Sequence, residues 1–173
     1  MAKIEVLAPF IFGWEGGWAD HKNDRGGKTN MGVTLVTWRS CGYDKDGDGD
    51  IDEDDLRLIT RDDVIKLLQK HYWDRWKADQ IRDQSLANIL VDWVWASGKW
   101  GIIIPQRLLG LTADGKVGPV TLATLNQVNP KIFFLRLKEE RIKFCEDLCE
   151  KDPSQKVFLQ GWINRINDFK YLG

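Results

Sequence analysis

Residues 85–100 constrain the fold more than any other stretch. Wound as a helix, they put apolar side chains on nearly every face: Leu86, Ile89, Leu90, Val91, Trp93, Val94, Trp95 and Ala96. A helix without a polar face must be surrounded by other elements, so this stretch predicts the buried centre of an all-α domain. Its one acid, Asp92, has to be ion-paired or face a cleft, because an isolated buried charge is costly. A chain of 173 residues, 43% hydrophobic and 29% charged, can bury such a helix in one ordinary domain with a small packed extension.

The remaining periodicity is also helical. Ile4, Val6, Leu7, Phe10, Ile11 and Trp14 recur at helical spacing up to Glu15, with Pro9 as a local irregularity. Thr34 and Thr60 stand where N-caps would open two further helices, the second running through Val64, Leu67 and Leu68 towards Tyr72 and Trp73. Pro119 and Pro130 sit at helix starts, and Asp152-Pro153 breaks the long amphipathic helix that Pro130 opens. Between Trp18 and Met31 the pattern turns polar and glycine-rich, which predicts a loop or a small hairpin lobe.

Net charge is −1, with acids and bases interspersed, so neither nucleic acid nor a membrane surface is an expected partner. No segment reaches the length of a membrane span. The N-terminal apolar run is short, is broken by Glu5 and Pro9, and lacks a cleavage site, so no signal peptide is expected. Three cysteines make no disulfide framework, and Cys145 and Cys149, one helical turn apart, read as free thiols of a protein made in a reducing compartment.

The chemistry concentrates near the first helix. Glu15 ends that helix between Trp14 and Trp18 and precedes Gly16-Gly17; nine positions on, Asp24 opens a second glycine pair, Gly26-Gly27, followed by Thr29 and Asn30. Glycoside hydrolysis uses such a pair of carboxylates: one donates a proton to the glycosidic oxygen, and the other stabilises the oxocarbenium-like transition state, activates water or attacks. Glu15 beside its tryptophans fits the donor, and Asp24 on a polar turn fits the partner. The plainer alternative for Glu15 is a solvated acid ahead of a glycine C-cap, and residue types alone leave the two readings near even.

A second acidic stretch, 44–55, follows the calcium-loop template position by position. Asp44, Asp46 and Asp48 fall at positions one, three and five, Gly49 at six, Ile51 at eight and Asp55 at twelve. The expected ligands of a structural Ca2+ are Asp44, Asp46, Asp48, the Asp50 carbonyl and Asp55, with Asp52 acting through water. Asp55 departs from the usual bidentate Glu, which makes the loop look more like the dockerin type than a sensor EF-hand.

Glu15-Gly16-Gly17-Trp18, then Asp24, Gly26-Gly27, Thr29 and Gly32-Val33-Thr34, resembles the signature of glycoside hydrolase family 108, muramidases also described as secretion activators. The resemblance implies Glu15 as the catalytic acid, with Asp24 and Thr29 as its partners. In the phage-type lysozymes, which share the eight-residue gap from Glu to Asp, five residues separate that Asp from the Thr. Here four separate Asp24 from Thr29, and Asn30 takes the strict position. Tyr72-Trp73-Asp74 resembles the family's YWD element, and Trp18, Asn30, Tyr72 and Trp73 are the expected sugar contacts. Asp92 and Gly98 match a D-x-x-V-N-x-G element in which Ala96 replaces the Asn. Gln106, Leu109-Gly110, Asp114-Gly115, Gly118-Pro119 and Thr121 resemble a peptidoglycan-binding module, and Gly161-Trp162, Asn164-Arg165 the family's ending.

The expected fold is therefore mainly α: a lysozyme-like helical domain over 1–100 with a small hairpin lobe and an inserted EF-hand-like calcium loop. A helical peptidoglycan-binding-like module over 101–173 follows it. The expected activity is hydrolysis of the β-1,4 bond between N-acetylmuramic acid and N-acetylglucosamine in peptidoglycan strands. Its expected place is the cell wall or periplasm, reached through a holin or another export route. A catalytically silent export accessory and a lytic transglycosylase are the competing expectations.

Overall fold

The computed structural model describes residues 1–23 and 27–173, and these divide into two compact units, Ala8–Gln69 and Met1–Leu7 with Lys70–Gly173. Helix α1 (Ile4–Trp14) runs from the larger unit into the smaller.

In the smaller unit α1 is followed by a three-stranded antiparallel sheet of two-residue strands, β1 (Trp18–Ala19), β2 (Thr29–Asn30) and β3 (Val33–Thr34). This is the expected hairpin lobe. Asn30 pairs with Val33, so Met31 and Gly32 alone make the β2–β3 turn, and both have positive φ, +47° and +80°. Positive φ at both central residues is what a type I′ hairpin turn requires. Thr34 caps α2 (Leu35–Cys41) by accepting from the Thr37 N–H at 3.0 Å. The acidic loop then leads into α3 (Glu53–Leu58), capped by Asp52, and Thr60 opens α4 (Arg61–Leu68) through a reciprocal box with Asp63. Such boxes satisfy two otherwise orphaned backbone donors at once.

Asp63 also ties α4 to the start of the acidic loop. Its buried carboxylate accepts from the Tyr43 hydroxyl (3.0 Å), the Lys45 ammonium (2.7 Å) and the Thr60 N–H (2.8 Å). Burial, the largest single influence, pushes its pKa up, but these donors outweigh it and bring the carboxyl down to about 2.

The larger unit is organised on α6 (Gln84–Ser97), whose residues Ser85 to Val94 are all buried. Before it come a π-helical turn (Gln69–Trp73) and the short α5 (Asp74–Trp76); after it come α7 (Trp100–Leu108), α8 (Pro119–Leu125), α9 (Pro130–Lys151) and α10 (Lys156–Asp168). α6 packs against α5, α7 and α9, and α9 against α10. Thus the buried central helix is built as its composition predicts, and it packs mainly on helices that follow residue 100. Gly101 allows the α6–α7 contact, since a Cβ there would lie 2.5 Å from the Val94 backbone nitrogen. Asp92 is wholly buried between Arg141 of α9 (2.7 Å) and Arg165 of α10 (2.6 Å). Burial pushes its carboxyl up, yet the two guanidiniums, Arg165 foremost, hold it below the usual carboxylate range. Cys145 and Cys149 are buried free thiols, and burial pushes the Cys145 thiol up to about 11.

Gln106 explains the glycine-rich motif after α7. Its buried amide donates to Asp114 Oδ1 (3.1 Å), the Lys116 carbonyl (2.9 Å) and Thr121 Oγ1 (3.3 Å) and accepts from the Gly115 N–H (2.9 Å). The motif is a turn wrapped around one glutamine.

Candidate active site

Glu15 follows α1 directly, its N–H donating to the Ile11 carbonyl at 2.8 Å, and its side chain is half-buried. Its carboxyl lies against the β2–β3 turn. A Cβ on Gly32 would fall 2.5 Å from Glu15 Cδ, 2.7 Å from Cγ and 2.8 Å from Oε2. Gly32 is thus required twice, once by its φ of +80° and once by the side chain seated on it. The turn is strained as well, because Met31 at φ +47° occupies the left-handed region that costs a non-glycine residue roughly 1–2 kcal/mol.

The two flanking tryptophans differ. Trp14 is 37% exposed. Trp18 is half-buried in β1, and the Arg57 guanidinium lies 3.8 Å from the centroid of its ring. That arginine also pairs with Glu53 one turn earlier on α3 (2.7 Å), and Glu53 pairs in turn with Lys28 at the entry to β2. The Lys28 ammonium first, then the Arg57 guanidinium, hold the Glu53 carboxyl below its ordinary value.

Thr29 sits in β2 opposite Ala19 and Thr34 and is half-buried. Asn30, expected at the sugar, is buried, and its amide donates to the Leu56 carbonyl (2.8 Å) and the Arg57 carbonyl (3.4 Å). It fastens β2 to α3. Asp24, the expected second carboxylate, lies outside the described residues.

In the larger unit the π-helical turn carries Tyr72 and Trp73. π-Helical bulges persist mostly where function repays their poorer hydrogen bonding. Tyr72 is half-buried with its ring 4.9 Å from that of Trp95, centroid to centroid. Trp73 corrects an expectation: it is completely buried and its indole N–H donates to Asp79 at 2.7 Å, so it is a core residue and not a sugar contact. Ala96, in the Asn position of the family element, is exposed.

The loop 44–55 folds around its own carboxylates. Asp44 accepts from the N–H groups of Gly47 (2.5 Å) and Gly49 (2.9 Å), Asp46 from Asp48 (3.1 Å) and Asp48 from Asp50 (3.1 Å). Asp55, fully buried, accepts from Lys45 (2.5 Å), Asp46 (3.2 Å) and Asp52 (2.8 Å). Carboxylate oxygens gather in two groups, Asp44, Asp46 and Asp48, then Asp50, Asp52 and Asp55, those in each lying within 4.8 Å of one another. The crowding is felt electrostatically. The charge of Asp48 is the main reason that Asp50 is raised above the usual value. At Asp46 the largest influence, the Asp48 N–H, pulls downward, but desolvation and the neighbouring aspartates outweigh it and the net shift is upward. A donor set of hard, mutually repelling oxygens suits a calcium-sized cation.

Residues 8–98 match the family model of glycosyl hydrolase 108, over half of the chain. The chain belongs to that family. Residues 100–167 match the model described as a predicted peptidoglycan domain. No curated protein matches the chain. Among solved structures, that titled "Structure of Brucella abortus SagA" superposes with a TM-score of 0.78 at 23% identity, covering 94% of this chain and 88% of that one. The fold is the shared one, and the two family matches make the protein a glycosidase acting on peptidoglycan, hence at the cell wall. Among the described residues no helix is long and apolar enough to cross a membrane.

Two contacts of the smaller unit escape a reading of the sequence alone. Gly32 is visible as a motif glycine, but that it seats Glu15 is not. Arg57 looks like one half of an ordinary i,i+4 pair with Glu53, which hides its ring partner 39 positions earlier in the chain.

Proposed function

We propose that the protein is an N-acetylmuramidase in which Glu15 protonates the leaving oxygen of the β-1,4 bond between N-acetylmuramic acid and N-acetylglucosamine. The observation that carries this reading is the seat of the Glu15 carboxyl on Gly32, half-buried and beyond the end of α1. A proton donor has to be held at one place relative to the scissile bond, and a glycine-walled seat in a tight turn does that. Asp24 serves as base or electrostatic stabiliser, Thr29 assists it, and Trp18 offers ring surface to the sugar. Residues 1–100 carry the hydrolysis, and residues 101–173 hold the glycan strand.

The decisive experiment is mass spectrometry of the fragments released from purified peptidoglycan by the wild type and by Glu15→Gln. Muramidase action leaves reducing muramic acid ends, and the Gln variant, isosteric and unable to donate its proton, releases almost none. Anhydromuramyl ends would instead mean a lytic transglycosylase. Full lysis by Glu15→Gln would remove the residue from the chemistry.

We further propose that Asp44, Asp46, Asp48, the Asp50 carbonyl and Asp55 bind one structural Ca2+, with Asp52 reached through water. The raised carboxyls of Asp46 and Asp50 support this, since a cation would relieve the repulsion behind them. Calorimetric titration of the full chain with Ca2+ tests it; heats no larger than those of Asp44→Ala with Asp48→Ala would refute it.

A further inference from the structure

We propose that Arg57 is a positioning residue for Glu15, acting through the small sheet. The inference rests on Glu15 being the proton donor. A sheet of three two-residue strands has almost no ladder of its own, and sheets that small need packing against another element to hold a shape. Here that element is α3, and it grips two adjacent strands. It holds β1 by the Arg57 guanidinium laid over Trp18 at 3.8 Å. It holds β2 by the Asn30 amide on the Leu56 and Arg57 carbonyls and, two residues earlier, by Lys28 on Glu53. Trp18 and Asn30 are directly paired across the β1–β2 ladder, so both grips act on the same rung.

From that rung the constraint has a short way to travel. Asn30 is followed at once by Met31 and Gly32, the turn on which the Glu15 carboxyl rests. On the other side, only Gly16 and Gly17 separate Glu15 from Trp18, and a Cβ at either would meet nothing within 4 Å. Two unsupported glycines transmit little stiffness, so the place of β1 relative to Glu15 depends on what holds Trp18 from above. Arg57 does so with a flat, charged group whose own direction is fixed by Glu53 at 2.7 Å. Cation–ring contacts of this kind are favourable even when partly exposed, and this one holds the indole of Trp18, three residues along the chain from the proposed donor.

The test compares Arg57→Ala, Arg57→Met and Arg57→Lys in the full chain, with soluble glycan strands as substrate and released reducing ends as readout. Misplacing a catalytic group by about 1 Å typically costs on the order of a hundredfold, so Arg57→Ala should lose roughly tenfold to a hundredfold in kcat with KM within about twofold. Arg57→Met, which still covers the ring but cannot pair with Glu53, should fall between. Arg57→Lys should recover at least half of the loss on a logarithmic scale. Melting curves taken alongside should place every variant well folded at the assay temperature. Unchanged kcat in Arg57→Ala and Arg57→Met would overturn the proposal. A raised KM with kcat intact would also overturn it, making Arg57 a substrate contact, and so would a loss that follows the melting temperature alone. Failure of the underlying reading looks different, because Glu15→Gln would then retain activity whatever Arg57 does.

Discussion

Replacing Gly32 by Ala separates the chemistry of the site from its stability. The added methyl would sit 2.5 Å from Glu15 Cδ and 2.8 Å from Oε2. Carbon atoms rest at about 3.5 Å or more, so the carboxyl must retreat by roughly 1 Å or the turn must open. Because the Glu15 side chain is the more pliant partner, the carboxyl is what moves. The backbone cost, an L-residue at φ +80°, is about 1–2 kcal/mol, a modest part of the stability of a protein this size. The catalytic cost of a 1 Å displacement is on the order of a hundredfold. Gly110→Ala supplies the control, since its φ of +72° imposes the same backbone strain while nothing lies within 4 Å of the new methyl. Assayed on purified peptidoglycan with thermal melts in parallel, Gly32→Ala should lose most of its lytic rate and Gly110→Ala almost none, with similar falls in melting temperature. A Gly32→Ala enzyme within threefold of the wild type would refute the claim that the seat positions the acid. Equal losses in both variants would show that strain, not contact, is what the glycine relieves.

Three further outcomes follow from the same geometry. Asp92→Asn leaves Arg141 and Arg165 facing each other without a counter-charge and should cost about 3–5 kcal/mol, read as a lowered urea midpoint. The carboxyl of Asp63 is depressed on folding from near 3.8 to about 2; its stabilisation is therefore complete above the unfolded value and drains away as pH falls from about 4 towards 2, and Asp63→Asn should flatten the melting temperature across that window. Calcium at a hundred times its dissociation constant should add about 2.7 kcal/mol, or roughly 5–10 °C at 2–4 °C per kcal/mol, and excess chelator should abolish the rise; a melting curve indifferent to both would count against the site.

Much of this was legible in the residues because it is local. Helix caps at Thr34 and Thr60, the proline helix starts at 119 and 130 and the buried run through α6 depend on neighbours a few positions away, and each stands where its pattern predicts. Asp92 was readable as an acid in need of a partner because burying it alone is prohibitive, though Arg141 and Arg165 as its partners were not. What stayed hidden is contact between segments. Trp73 resembles a sugar platform in one dimension, yet Asp79 takes its N–H and the core closes over its ring. Asn30 holds the position that spacing assigns to a substrate-facing hydroxyl, but its amide is buried against the end of α3. In both cases the residue type was read correctly and the direction of the side chain was not, because direction is set by an element that sequence spacing does not mention.

Departures from ordinary local chemistry occur in both units. In the larger one Asp92 is answered by two arginines and Gln106 by four hydrogen bonds, while Trp93 Nε1 and Arg141 Nη1 are buried without a hydrogen-bond partner among the described residues and Lys77 takes a left-handed backbone at φ +49°. In the smaller unit two departures meet at one turn. Met31 takes a left-handed backbone, and Gly32 admits a carboxyl to close contact. A chain under selection for folding alone would remove such costs, for example by Asn at position 31, where left-handed φ is tolerated. Costs kept together next to one acid point to what that acid does, since strained and frustrated positions survive where the surroundings over-determine them for a purpose. A strained turn kept against Glu15 agrees with the role proposed for that acid, and Gly32→Ala is the substitution that tests it most directly.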